Sequence, residues 1–99
     1  MKYKIDILIS ANIDFFEICE NLATYGKNST ILFTDSFSKF LASVLDMPLM
    51  FPQYARKPKY RKAQLVYEYM VFYKVDKKSK TVKVSRILHG KQNIDDKLL

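Results

Sequence analysis

Residues 67–99 read YEYMVFYKVDKKSKTVKVSRILHGKQNIDDKLL, and this stretch decides the fold. Val66 to Val75 is a run rich in tyrosine, phenylalanine and valine and apolar on both sides, as expected of a strand in the middle of a sheet. Tyr67, Tyr69, Val71, Tyr73 and Val75 alternate with Met70 and Phe72. Asp76 to Lys80 is a polar turn, and Thr81 to Leu88 returns as a second strand. A strict period of two puts Val82, Val84 and Leu88 on one face with Arg86. An arginine in register with core residues is either paired or held at the sheet's end for a purpose. The polar, cationic tail beyond it carries His89 and Lys91, displayed past a strand end where rigid backbone can hold groups out towards a partner.

Upstream, Lys2 to Ser10 alternates around Tyr3, Ile5, Ile7 and Ile9, a half-buried strand. Ser10 or Asn12 is then placed to cap a helix with Ile13, Phe15, Phe16, Cys19, Leu22 and Ala23 as its apolar face. Asp14, Glu17 and Glu20 fall in its early turns, where carboxylates suit the helix dipole. Gly26 stops this helix, and Asn28 or Ser29 caps a second over Thr30 to Leu45 with the stripe Phe33, Phe37, Phe40, Leu41, Val44 and Leu45. Pro48 ends it near Asp46, and MPLMFPQYARKP is a loop. Lys59 to Leu65 is a short basic strand. The order β-α-α-β-β-β predicts an α+β domain spanning residues 1–99, a helical hairpin packed on a four-stranded antiparallel sheet.

Ninety-nine residues suffice for one modest core. The single cysteine, Cys19, cannot form an internal bridge and reads as a small core residue. No apolar run approaches the ~20 residues of a membrane span. Asp6 inside the first apolar stretch argues against a signal peptide, so a cytoplasmic location without membrane contact is expected. Residues 1–52 hold four basic against six acidic side chains, net −2, while residues 53–99 hold thirteen against four, net +9. That asymmetry points to an anionic partner, a nucleic acid or an acidic protein segment.

Phe51-Pro52 after the second helix, the basic loop, Tyr69 to Asp76 and the run Val82 to Asn93, with its Arg86-Ile87-Leu88-His89-Gly90 ending, resemble the RelE/ParE family of toxins from bacterial type II toxin–antitoxin systems. The resemblance implies a cognate antitoxin, a hetero-oligomeric complex with it, and no metal or cofactor. It also implies one of two targets. A ParE-like chain poisons DNA gyrase, and the His89-Gly90 pair favours this branch. A RelE-like chain is a ribosome-dependent endoribonuclease that cleaves mRNA.

Ribonuclease chemistry needs a base for the 2′-hydroxyl, cations on the scissile phosphate and an acid for the leaving oxygen. Its candidates are His89 as acid or base, with Arg86 and Arg61 on the phosphate, and Glu68 as the second choice of acid or base. Target or nucleic-acid contacts fall to Arg56, Lys57, Lys59, Arg61, Lys62, Arg86 and Lys91. Lys77, Lys78 and Lys80 read as solvated turn residues. Tyr54 and Tyr60 are the tyrosines placed for base stacking, whereas Tyr67, Tyr69 and Tyr73 read as sheet residues packed on the helices.

Overall fold

The computed structural model describes residues 2–98. The elements run β1 (Lys4–Ile7), α1 (Ile9–Ala23), α2 (Lys27–Asp46), β2 (Arg61–Gln64), β3 (Tyr69–Asp76), β4 (Thr81–His89) and a short α3 (Ile94–Lys97). This is the expected order, with one extra helical turn in the tail. The sheet order is β1-β4-β3-β2. Strands β2, β3 and β4 pair antiparallel, but β1 lies parallel to β4, from Lys4 opposite Thr81 to Ile7 opposite Val84. The expected all-antiparallel sheet is therefore corrected to a mixed one. A parallel pair needs a long crossover, and the helical hairpin with the first two strands of the meander supplies it.

Helix α1 starts at Ile9, with Leu8 as its extended N-cap and no side-chain cap. The Ser10 and Asn12 caps are not used, because backbone pairing sets the entry. The Leu8 N–H donates to the Val84 carbonyl, and the Asn12 N–H donates to Leu8. The helix is also rolled relative to the expected face. Ala11, Asp14, Ile18 and Leu22 are buried, while Ile13 and Phe16 stand 54% and 59% exposed. Gly26, at φ 126°, forms the hinge between the helices, a conformation that side-chain-bearing residues rarely adopt. Helix α2 then begins at Lys27, three residues earlier than expected, without an Asn28 or Ser29 cap. Its stripe of Phe33, Phe37, Phe40 and Val44 is buried as expected, with Leu45 turned out.

Two apolar layers result. The helices cover one face of the sheet through Phe33, Phe40, Val71, Tyr73, Val82, Val84 and Ile87. The other face carries a smaller cluster of Tyr60, Met70, Phe72, Leu88 and Leu98. A β-bulge in β4 sets which of its residues reach each face. Phe72 faces Arg86 but Tyr73 faces Val84, so Ser85 is the extra residue. The expected sharing of one face by Val82, Val84, Leu88 and Arg86 is thereby overturned. Val82, Val84 and Ile87 join the helix-side core, and Leu88 joins the opposite cluster.

Strand β3 begins at Tyr69 rather than Val66, because Tyr67 and Glu68 adopt left-handed backbone at φ 60° and 64°. Tyr67 is consequently 42% exposed and not a sheet residue. The Tyr73 hydroxyl donates to the Pro48 carbonyl at 2.9 Å, tying the exit of α2 to the central strand.

Candidate functional site

Strand β1 is short, and its pairing with β4 stops near Val84. Beyond that point the edge of β4 would expose the Ile87 amide. Asp14, one turn and a half into α1, fills the gap. Its Oδ2 accepts the Ile87 N–H at 2.9 Å, and its two oxygens accept Arg86 Nε at 2.7 Å and Nη2 at 2.9 Å. The carboxylate is 9% exposed and the guanidinium 24%. Asp14 is thus a strand-edge partner and an ion-pair partner, and not the dipole residue its position suggested. The side-chain hydrogen bond to Asp14 holds Arg86 above the usual arginine range.

The basic loop and the tail meet on the face opposite the helices. The Asp95 carboxylate accepts the Tyr54 hydroxyl at 2.7 Å and Arg56 Nη1 at 2.7 Å. The Lys57 ammonium donates to the backbone carbonyls of Asp95 and Leu98. Arg86 Nη1 donates to the Lys97 carbonyl at 3.2 Å. Leu98 is fully buried against the outer apolar cluster. The hydrogen bond from Arg56, followed by that from Tyr54, holds the Asp95 carboxyl below the usual carboxylate range. The tail is therefore docked by both charge and burial.

Of the other expected cations, Arg61 Nη1 donates to the Phe51 carbonyl at 2.7 Å and to Leu49 at 3.3 Å, which pins the loop after α2. Lys59 lies 5.5 Å from the Tyr60 ring centroid and Lys62 5.8 Å from that of Tyr54. Lys91 sits in the exposed turn after β4. Tyr60 is buried, and the Tyr54 ring packs edge-on to Phe72 at 5.3 Å. Burial removes Tyr60 from base stacking, which corrects that expectation, while Tyr54 is half-buried. Burial pushes the Tyr60 hydroxyl above its ordinary pKa.

His89 closes the tail turn. Its Nδ1 accepts the Lys91 N–H at 3.1 Å, its own N–H donates to Gln92 Oε1 at 2.6 Å, and its ring stands edge-on to Tyr69 at 5.1 Å. It lines a cleft with Glu17, Asn21 and Gln92 beside α1.

The structure does not bring His89, Arg86 and Arg61 together. Arg61 is in register with Tyr73 and His89 with Tyr69. Arg61 therefore lies roughly 10 Å across the sheet and 13 Å along it from His89. Arg86 pairs with Phe72, whose side chain belongs to the opposite face from Tyr73. Arg56, Lys57 and Arg86, in contrast, do converge on residues 94–98. Glu68 is exposed, and its carbonyl accepts the Gly90 N–H at 3.0 Å.

The family described as the ParE toxin of the type II toxin–antitoxin system parDE matches residues 10–94. The chain belongs to the ParE toxin family. The match covers both helices, the basic loop and the whole β-meander. No curated protein matches the chain. Among solved structures, the chromosomal ParDE system of P. aeruginosa is similar with a TM-score of 0.72 at 12% identity, over 88% of this chain and 95% of that one. The free E. coli toxin RelE, in a doubly substituted form, gives 0.71 at 18% identity, over 98% and 94%. The intact E. coli RelBE complex gives 0.67 at 18%, over 91% and 99%. At these identities the structures show a shared fold, and the ParE family match shows the membership.

Four features of this toxin's site escaped the sequence reading: Asp14, Asp95, Leu98 and the Ser85 bulge. Asp14 carries one weak signal, a carboxylate in line with Ala11, Ile18 and Leu22 on what proves to be the buried face of α1. Leu98 lies in a segment too short to show a period.

Proposed function

We propose that the chain is a ParE-like toxin that inhibits growth by poisoning DNA gyrase and is neutralised by a cognate antitoxin in a hetero-oligomeric cytoplasmic complex. The observation that carries this reading is the placement of Arg61, Arg86 and His89, spread over two faces of the sheet with Arg86 committed to Asp14. General acid–base cleavage of RNA needs its groups within hydrogen-bond reach of one phosphate. A binding toxin needs only a rigid charged surface, and the docked tail and basic loop supply one. Among the described residues no helix is long and apolar enough to cross a membrane.

The antitoxin reading has its own support. Ile9, Ile13 and Phe16 recur at i, i+4 and i+7 along α1 and are 80%, 54% and 59% exposed. Such a stripe is the kind of surface that a wrapping partner covers.

A second reading, a RelE-like endoribonuclease acting on ribosome-bound mRNA, is favoured by the density of Arg and Lys between residues 56 and 62 and by the fold likeness to RelE. Inducing the chain in a bacterial host separates the two when mRNA 5′ ends and the DNA-damage response are followed together. DNA damage with intact transcripts is the expected result. Prompt codon-phased cleavage of mRNA without DNA damage would overturn the gyrase reading.

A further inference from the structure

On the sheet face away from the helices, beside the bulge, lies a cleft of about 190 Å³. It has room for several waters at roughly 30 Å³ each. Its polar lining comes from Ser10 at the start of α1, Lys74 on β3, Ser85 and Arg86 on β4 and Lys97 in the tail, with Tyr60 on the wall. Three cations from three separate elements therefore line one recess. Asp14 pairs with Arg86 and Glu17 acts on it at longer range, while the lining of the cleft itself holds three cations and no carboxylate.

Lys74 and Arg86 are positioned by contacts within the fold. The Lys74 ammonium lies 5.3 Å from the Tyr60 ring centroid. Lys74 also stands directly across from Lys83 in the β3–β4 register, an unfavourable like-charge pair whose cost the fold accepts. Arg86 has five N–H donors, of which Asp14 takes two and the Lys97 carbonyl one, leaving one on Nη1 and one on Nη2. The bulge residue Ser85 lines the same cleft, its hydroxyl donating to the Lys83 carbonyl at 3.4 Å. Among the described residues no carboxylate forms an ion pair with Lys74 or Lys97.

Planar guanidinium donors with two flanking ammoniums match the acceptor oxygens of a phosphate. We propose that this cleft is a phosphate site that takes one phosphodiester of a nucleic-acid strand, between Lys74 and Lys97 and against the remaining Arg86 donors. The assignment of that strand to DNA rests on the gyrase reading; the phosphate chemistry does not. Lys59 and Lys62 continue the positive surface along the neighbouring edge, so a strand leaving the cleft stays on cationic ground.

The test uses the full chain, a fluorescein-labelled 12-nucleotide single-stranded DNA, the RNA of the same sequence, and inorganic phosphate, all at 50 mM salt. Anisotropy is measured for the parent chain, for Lys74→Gln with Lys97→Gln, and for the charge-matched control Lys27→Gln with Lys39→Gln on α2. The site pair is expected to weaken strand binding about tenfold and to flatten the slope of log K against log salt by about 1.4 for two lost contacts. The control is expected to change the affinity less than twofold. Backbone amide shifts of Ser85 and Arg86 on adding the strand, seen by NMR in the parent chain, supply a reading that needs no variant.

Equal losses in the two double variants would reduce the effect to overall charge and overturn the site, as would an unchanged affinity in the site pair. Saturation by inorganic phosphate that the strand does not compete away would assign the cleft to a small phosphate compound and overturn the strand. Tighter binding of RNA than of DNA would overturn the DNA assignment. Gyrase poisoning is assayed separately, so its absence alongside Lys74- and Lys97-dependent binding counts against the proposed target and not against the cleft.

Discussion

Asp14 and Arg86, seventy-two residues apart, form a bidentate ion pair at 2.7 and 2.9 Å that fastens the first helix to the far end of the last strand. The same carboxylate satisfies the Ile87 amide, where β1 no longer covers the edge of β4. The pair therefore does three things at once. It completes the sheet edge, sets the roll of α1, and aims the rest of the guanidinium at the tail and the cationic cleft.

Removing the acid should be costly. Asp14→Ala leaves a half-buried guanidinium and a buried N–H without partners, and about 2–4 kcal/mol of stability is expected to go. Urea unfolding of the parent and variant checks this. An unchanged midpoint would mean that water replaces the carboxylate without penalty.

The tail should be held by apolar burial as well as by charge. Leu98→Ala empties a fully buried site among Met70, Phe72 and Leu88. Core leucine truncations cost roughly 2–5 kcal/mol, and the low end is expected because a terminal segment can lift away without opening the sheet. Hydrogen exchange should show the loss concentrated in residues 94–98. Equal loss across β3 and β4 would contradict the picture of a separately docked tail.

Acid should release the same segment. The folded pKa of Asp95 is depressed, so its contribution is present above pH 3.8, the ordinary value, and is lost as pH falls below that through the lowered value. The Leu98 amide, which donates to the Ile94 carbonyl, reports docking by its exchange protection. Protection should hold at neutral pH and fall in that acid window, and Asp95→Asn should weaken it already at neutral pH.

Toxicity should follow the same geometry. Arg86→Ala is expected to reduce growth inhibition at least tenfold at equal folded amounts, because Arg86 links α1, β4, the tail and the cleft. Lys78→Ala lies in the exposed turn between β3 and β4 and should change it little. Equal potency of the two variants, read as colony counts after induction, would contradict this.

The helices and the hairpin were legible because their periods are long and clean. Phe33, Phe37, Phe40 and Val44 mark one helical face without competition, and Val66 to Val75 with Thr81 to Leu88 reads as two strands about a lysine-rich turn, close to the observed Tyr69–Asp76 and Thr81–His89. Gly26 marked the break between the helices for the same reason. What stayed hidden depends on contacts between distant segments. A bulge adds a residue without a sequence marker, so Ser85 shifted every later side chain in β4 to the face opposite the expected one. The left-handed Tyr67 and Glu68 were unreadable because no glycine announces them. The parallel pairing of β1 is a choice of partner, and element order alone leaves it open. For the candidate site, the sequence displays the cations of the basic loop and Arg86, but their partners Asp14 and Asp95 lie 38 or more residues away and leave no local mark. Lys74 was read as part of a strand and Lys97 as part of a tail, and only the folded sheet puts them in one cleft.

The central claim is tested most directly with purified components. Gyrase, relaxed plasmid DNA and ATP are incubated with the purified chain, and double-strand breaks are counted after protein denaturation. The account predicts dose-dependent accumulation of gyrase-linked breaks, reduced by Arg86→Ala and abolished by the cognate antitoxin. Unbroken, normally supercoiled DNA at every dose, together with cleavage of mRNA in a purified translating-ribosome reaction, would contradict it.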